Sequence, residues 1–583
     1  MSDDGDDLKV RPGRIRQSGP RHAPKSFVAQ VLKATHRAGG VGTRGRLGKM
    51  RRSTFGRGRG RAFAAERGLF SSARRVVVKA RVVRHKGRDF RSAPLATHLA
   101  YLRRDGVTRD EQKAQMFDAR SDTVDAAAFV DRCKDDRHHF RFIVSPEDAT
   151  EMVDMRAFTR DLLREAEHDL GTKLDWVGVE HWNTDNPHIH ILLRGKADDG
   201  ADLVISRDYI SNGMRARAER LVGLELGPKP ERRIHEDLAR EVDADRWTRL
   251  DRTISARADE TGIVDLRPGR GQTDPNIERL KIGRLQKLER LGLAVPIGPA
   301  QWMLAEDAES RLRDLGLRGD IIKTMHRALT EARIERSTID FAICGEKDRP
   351  PLIGRLVARG LADELSEKAF AIIDGVDGRA HHLSFSNIEA TSDAAPGAIV
   401  ELRRFDDASG AERVTLAVRS DLSLEKQIKA DGATWLDRRL VERTETPLAH
   451  AGFGQEVREA LSARIDHLSA AGLAQRQGQR VIFARDLLGT LRRRELDAIG
   501  AKLAGEMELP YRPKTEGANI AGTYRQRLSL ASGRFAMIDD GLDFQLVPWS
   551  PSLETKLGKH ISGVMAPGGG VGWSFGKKLG LGI

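Results

Sequence analysis

The chain has 583 residues, 39% hydrophobic and 32% charged, which suits a soluble protein with several buried cores. It has no apolar run of about 18 residues and no apolar segment in its opening MSDDGDDLKVRPGR, so neither a membrane span nor a secretory signal is expected. Two cysteines, Cys133 and Cys344, exclude a disulfide framework and a cysteine-ligated zinc site and fit a reducing cytoplasm.

The net charge of +14 is concentrated at one end. Residues 9–79 carry twenty Lys/Arg against one acid, Glu66, whereas residues 80–583 sum to −1. Residues 1–72, rich in Gly and Arg (RRSTFGRGRGRAFAAERG), are expected to form a basic, largely disordered arm that binds a polyanion.

Downstream, ARRVVVKARVVRHKG (73–87) predicts a strand of β-branched residues. RSAPLATHLAYLRRDG predicts a helix with Leu95, Leu99 and Leu102 on one side and Gly106 at its end. HHFRFIVS (138–145) alternates, with Phe140, Phe142 and Val144 on one face of a strand. MRAFTRDLLREAEHDLG (155–171) is amphipathic, its stripe made of Phe158, Leu162, Leu163, Ala166 and Leu170. LDWVGVEHW (174–182) and PHIHILLRG (187–195) predict an antiparallel hairpin about the turn NTDN. Residues 73–225 are thus expected to form an α/β domain, an antiparallel central sheet flanked by helices.

Residues 226–280, punctuated by PKPERR and LRPGRGQTDP, predict a charged connector. Beyond it RLQKLERLGLAVPIGPAQWMLAED (284–307) recurs 180 residues later as RIDHLSAAGLAQRQGQRVIFARD (464–486). Each copy reads as a helix, a glycine turn and a hairpin, as in a winged-helix unit. The expected C-terminal order is α+β: a winged-helix-like unit at 281–345, a mixed α/β region at 346–460, and a second such unit with a β-rich end at 461–583.

The densest chemistry lies in HWNTDNPHIHILLRG (181–195). Residues i and i+2 of a strand share a face, so His188 and His190 project together while Ile189 and Ile191 face a core. His181 ends the preceding strand and is brought back beside His188 by the turn. Three imidazoles can therefore converge on a divalent metal ion and leave positions open, the layout of a catalytic site. Asp185, in the turn, is placed to orient an imidazole N–H.

The spacing H-x₃-D-x-P-H-x-H resembles the metal motif of HUH endonucleases, most closely conjugative relaxases of the mobilisation and T-DNA border-nicking type. That family carries its nucleophilic tyrosine upstream, in a motif matched here by HLAYLRRDG, which assigns Tyr101. An acidic residue often found two after the first histidine is Asn183 here. The resemblance spans roughly 73–225. It implies an HUH-type relaxase domain binding Mn²⁺ or Mg²⁺ through His181, His188 and His190, with Tyr101 and Asp185 catalytic. It also implies Ser145 as a DNA contact, with Arg103 and Arg104 holding phosphates.

The implied partners are single-stranded DNA at a transfer origin, accessory relaxosome proteins and a type IV secretion coupling protein. The implied location is the bacterial cytoplasm, with translocation to a recipient alongside the DNA. A rolling-circle replication initiator or transposase shares the same chemistry. A histidine-triad nucleotide hydrolase would need a further histidine where Leu192 stands. A non-enzymatic winged-helix DNA-binding regulator would leave the histidines inert.

Overall fold

The computed structural model describes residues 72–574, without 86–92, 105–106, 111, 183, 185, 260, 268–273, 345–350, 363–364, 366–367, 407–409, 411, 443–446, 479, 514–516 and 567–569. The basic arm expected at 1–72 thus lies outside the described residues, save its last. Two compact units are formed. The first gathers the described residues up to Val76 with Pro146–Asp154 and Ala216–Leu317; the second contains Val77–Ser145, Met155–Arg215 and the described part of Arg318–Ile583. Each is mixed α/β with antiparallel pairing. Among the described residues, no helix is long and apolar enough to cross a membrane.

In the second unit the chain runs β1 (Val76–Arg84), α1 (Ala93–Leu102), α2 (Ala126–Arg132), β2 (His138–Pro146), α3 (Met155–Leu170), β3 (Trp176–His181) and β4 (His188–Arg194). The strands form one sheet in the order β1-β2-β4-β3. β4 lies antiparallel to both neighbours, with His181 opposite His188 and His190 between Val179 and Ile143. One face, built from Val177, Val179 and Leu192, is covered by Leu95, Leu99 and Leu102 of α1 and Phe129 of α2. The other carries Phe140, Phe142, Ile189 and Ile191, all buried, and α3 packs against β3 through its apolar stripe. The six elements expected from the sequence are present. α2 was not expected, nor was the bridge that pairs Phe117 with Gly178 on the outer side of β3.

The first unit contains most of α4 (Met214–Leu226), then α5 (Glu231–Val242), α6 (Arg249–Arg257), β5 (Ile263–Asp265), α7 (Pro275–Arg290), β6 (Ala294–Gly298), β7 (Gln301–Leu304) and the start of α8 (Ala308–Glu331). Here the expectation of a connector at 226–280 is corrected. Ile234, Leu238, Leu250 and Ile277 form a core, and Ile254, Val264 and Leu266 join another with Leu285 and Leu312. The high charge of this stretch misled because its ions are paired rather than solvated. Lys229 is buried against Asp237, and Arg257 meets Glu278 at 2.6 Å with both side chains largely covered. The boundary expected after residue 225 is also displaced, since Pro146–Asp154 and Ala216–Leu226 belong to this unit.

The rest of the second unit continues with β8 (Phe341–Cys344), β9 (Ile353–Leu361), β10 (Ala369–Gly375), β11 (Ala380–Phe385), β12 (Ile399–Asp406) and β13 (Glu412–Ser420), one sheet in the order β13-β12-β9-β10-β11-β8. After it come α9 (Leu424–Ile428), α10 (Trp435–Val441), α11 (Gly452–Ala470), β14 (Ala474–Gln477), β15 (Arg480–Phe483) and α12 (Leu487–Met507). The chain closes with β16 (Asn519–Leu530), β17 (Gly533–Asp539), β18 (Phe544–Pro548), β19 (His560–Met565) and β20 (Val571–Ser574). β17 and β18 form an antiparallel hairpin about Asp540-Gly541 within the β-rich end expected there.

The repeated sequence corresponds to repeated structure. Each copy ends its helix at a glycine with positive φ, Gly292 or Gly472, and the next amide bonds back to Leu288 or Leu468 at 2.8 Å. The arginine that opens each copy is a buried clasp. Arg284 grips Asp251 through two bonds of 2.8 Å and also donates to the carbonyls of Val242, Ala244 and Arg246. Arg464 does the same with Asp437 at 2.8 and 2.9 Å and with the carbonyls of Ile428, Ala430 and Gly432. Each aspartate also caps its own helix, with Thr248 or Thr434 at the N-cap.

Because both charges are fully buried, removing one strands the other. Arg464→Ala should destabilise the second unit by about 3–5 kcal/mol in urea unfolding, and adding Asp437→Ala should recover part of the loss. A cost below about 1 kcal/mol would show that the clasp is not a structural element.

Candidate metal centre and tyrosine site

β3 and β4 determine where the imidazoles go. Antiparallel register sets His181 across from His188, and the two-residue period of β4 puts His190 on the same face. The ligand-capable nitrogens of all three lie within 4.8 Å of one another, and among the described residues no other His/Cys/Asp/Glu group converges in this way. The side chains are 0%, 7% and 2% exposed, so bulk water cannot be their main partner.

Main-chain carbonyls set two of the tautomers. His181 donates from Nε2 to the Leu102 carbonyl at 2.8 Å, which leaves Nδ1 as its lone-pair nitrogen. His188 donates from Nδ1 to the Asn186 carbonyl at 2.9 Å, which leaves Nε2. That Nε2 lies 3.2 Å from Nε2 of His190. Two nitrogens bound to one cation at about 2.1 Å stand roughly 3.0–3.4 Å apart, so the spacing suits a shared ion. Nitrogen-only donors favour a transition metal such as Mn²⁺ over Mg²⁺, which prefers oxygen. Asp185, expected to orient an imidazole, lies outside the described residues, as does Asn183.

Tyr101 is the penultimate residue of α1, immediately before the Leu102 whose carbonyl holds His181. Its ring packs at the edge of the core formed by Leu95, Leu99 and Val179. Its hydroxyl oxygen accepts the Leu361 N–H of β9 at 3.0 Å. The Arg104 guanidinium lies 4.2 Å from the centre of the Tyr101 ring and donates to the Tyr101 carbonyl at 3.3 Å. Arg103 is half-buried, with its amide bonded to Leu99. Ser145, at the end of β2, donates to the Pro187 carbonyl at 3.1 Å and so pins the entry to β4.

A neighbouring group escaped the sequence reading. On the histidine face of β2, buried Arg141 donates from Nε to Nε2 of His139 at 3.1 Å, and His139 Nδ1 meets His85 Nε2 at 2.8 Å. Burial, with Arg141 adding to it, holds His139 well below the usual imidazole range, so it stays neutral. The signal was available in HHFRFIVS, where alternation places His139 and Arg141 opposite the phenylalanines.

No curated protein and no solved structure matches the chain. A family model described as Protein of unknown function (DUF3363) matches residues 281–409 and 403–582. Those stretches run from within α7 to past β20 and together cover just over half of the 583 residues. The chain therefore belongs to the family described as Protein of unknown function (DUF3363).

Proposed function

We propose that this protein is a relaxase of the HUH endonuclease type, which nicks and rejoins one DNA strand at the transfer origin of a plasmid or integrative element. The observation that carries the reading is the coupling of two motifs in one place: three buried imidazoles with convergent nitrogens, and a tyrosine helix whose last residue orients one of them.

His181 through Nδ1, and His188 and His190 through Nε2, would hold a divalent cation. When bound, such an ion acts as a Lewis acid toward a phosphate oxygen. Tyr101 provides the nucleophile. Its Oη forms a bond to phosphorus as the bond from phosphorus to the 3′ oxygen breaks. The phenolic proton passes to solvent and the 3′ oxygen takes one up, leaving a 5′-phosphotyrosine and a 3′-OH. One phosphodiester replaces another, so the reverse attack rejoins the strand without ATP. Arg104, fixed over the Tyr101 ring, is placed to meet backbone phosphate, and Arg103 lies beside it. Ser145 acts through the turn that it pins.

The helix, helix, strand, helix, hairpin order of α5 to β7 is that of a winged-helix unit, and α9 to β15 repeats it without the strand. We read these units as duplex-binding modules that seat the enzyme beside its nick site. The basic arm would add sequence-independent affinity. The partners on this reading are single-stranded origin DNA, accessory relaxosome proteins and a type IV secretion coupling protein. The protein would act in the bacterial cytoplasm and travel with the transferred strand.

The test is cleavage of labelled single-stranded DNA from the element's own intergenic regions, with Mn²⁺ or EDTA, followed by peptide mass analysis. A metal-dependent DNA adduct on the Tyr101 peptide is expected. Tyr101→Phe should abolish the adduct and leave strand binding unchanged; an adduct formed by that variant refutes the assignment. In calorimetry, saturating Mn²⁺ at about 100 times its Kd should stabilise the protein by about 2.7 kcal/mol. His188→Ala should lose both that stabilisation and cleavage. Salt-sensitive duplex binding with neither metal effect nor adduct would favour a DNA-binding regulator instead.

A further inference from the structure

The sheet of β8 to β13 carries polar chemistry on both faces. On one, Phe370 stacks on His382, and the Tyr101 hydroxyl fills a notch beside them at Gly360 of β9. A Cβ at Gly360 would lie 2.8 Å from Tyr101 Oη and 3.0 Å from the Phe370 ring. Register turns His381 to the opposite face. It pairs with Ile373 of β10 and Ala342 of β8, and so shares its face with Cys344, the last residue of β8. Ile373, Leu383 and Cys344 line the core beneath that face.

His381 is 2% exposed, and its two nitrogens have different partners. Nε2 donates to the Asp377 carboxylate, 2.9 Å from Oδ2 and 3.1 Å from Oδ1. A carboxylate only accepts, so the neutral imidazole keeps its proton on Nε2 and its lone pair on Nδ1. That Nδ1 faces Cys344 Sγ at 3.9 Å, within the reach of a thiol donor before substrate is bound. Asp377 stands in the turn between β10 and β11. Its carboxylate folds back over Gly375, where a Cβ would run into it, and the Arg379 amide holds it at 3.2 Å. Burial would raise the Asp377 carboxyl, but the His381 hydrogen bond helps to outweigh it and keeps the group below its usual range. An anion therefore stands behind the imidazole.

Among the described residues β8 is an outermost strand of its sheet, and Cys344 is partly exposed. Cys133 is the opposite case, 1% exposed, with its thiol pushed up by burial to about 12.

We propose that Cys344, His381 and Asp377 form a second reactive centre, in which the Cys344 sulfur accepts an acyl group as a thioester. Sulfur bonds to the carbonyl carbon as the bond from that carbon to its leaving group breaks. The thiol proton passes to His381 Nδ1 and from there to the leaving group. Water then splits the thioester, which releases a carboxylic acid and restores the thiol. Thiol, imidazole and carboxylate stand in the order that this exchange needs: a nucleophile, a base that hands its proton on, and an anchor that fixes the base. The three residues lie within the family region, and the centre stands independently of the relaxase reading.

The experiment uses the full chain with p-nitrophenyl acetate as the acyl donor. Nitrophenolate release is followed by rapid mixing, and acid-quenched samples are digested for peptide mass analysis. A burst of nitrophenolate with acetyl on the Cys344 peptide is expected, then slower release as the thioester is hydrolysed. Cys344→Ala should lose the burst, and Cys133 should stay unlabelled. The acetylation rate should fall about 100-fold in His381→Gln, which removes the base, and about tenfold in Asp377→Asn, which leaves it unanchored. Urea unfolding checks that each variant is folded. If His381→Gln is not, Asp377→Asn decides, because that side chain is 45% exposed and substitution there spares the core. Absence of acetyl from Cys344 overturns the proposal, and so does a rate unchanged in folded Asp377→Asn.

Discussion

An imidazole has two nitrogens, and the bond made by one decides what the other can do. In this protein the Leu102 carbonyl takes the Nε2 proton of His181, and the lone pair on Nδ1 follows from it. The same carbonyl ends the helix that carries Tyr101. A single 2.8 Å bond therefore sets which nitrogen of His181 keeps its lone pair and anchors the end of the helix that carries Tyr101. The rest of the domain serves that bond. The leucines of α1 press it onto Val177 and Val179, and the register of β3 with β4 brings the other two histidines to the same place.

Local periodicity made half of this site legible. A two-residue repeat is enough to say that His188 and His190 share a face, and a short polar turn is enough to return His181 to them. Partners that depend on distant chain were not legible. Nothing in HLAYLRRDG announces that Leu102 will bond an imidazole 79 residues away, or that the hydroxyl of Tyr101 will meet an amide 260 residues away. The stretch 226–280 misled for another reason. Its charge density resembles a solvated linker, and only the fold shows that Lys229, Asp237, Asp251 and Arg284 are buried partners.

The two arginine clasps show how a repeat can be faint in sequence and strict in structure. The helices they join share few residues, yet each needs a guanidinium to satisfy three carbonyls and a capping aspartate at once. Five donors in a rigid fork do this and an ammonium cannot. Apolar positions in the same helices can interchange at modest cost. What persists between the copies includes the arginine, the aspartate with its N-cap threonine, and the Gly-Leu-Ala after the helix.

The notch at Gly360 has a consequence for how such a chain can be inherited. A Cβ added at Gly360 in one region would stand 2.8 Å from the Tyr101 hydroxyl of another, so neither region is a free module. Exchange of the C-terminal half with that of a relative would succeed only where the incoming strand has no side chain at that point. The joining of the histidine domain to this family region is then more than a tether. The two halves must change together, and a recombinant that broke the match would carry Tyr101 and all three histidines and still lack the notch that takes the Tyr101 hydroxyl.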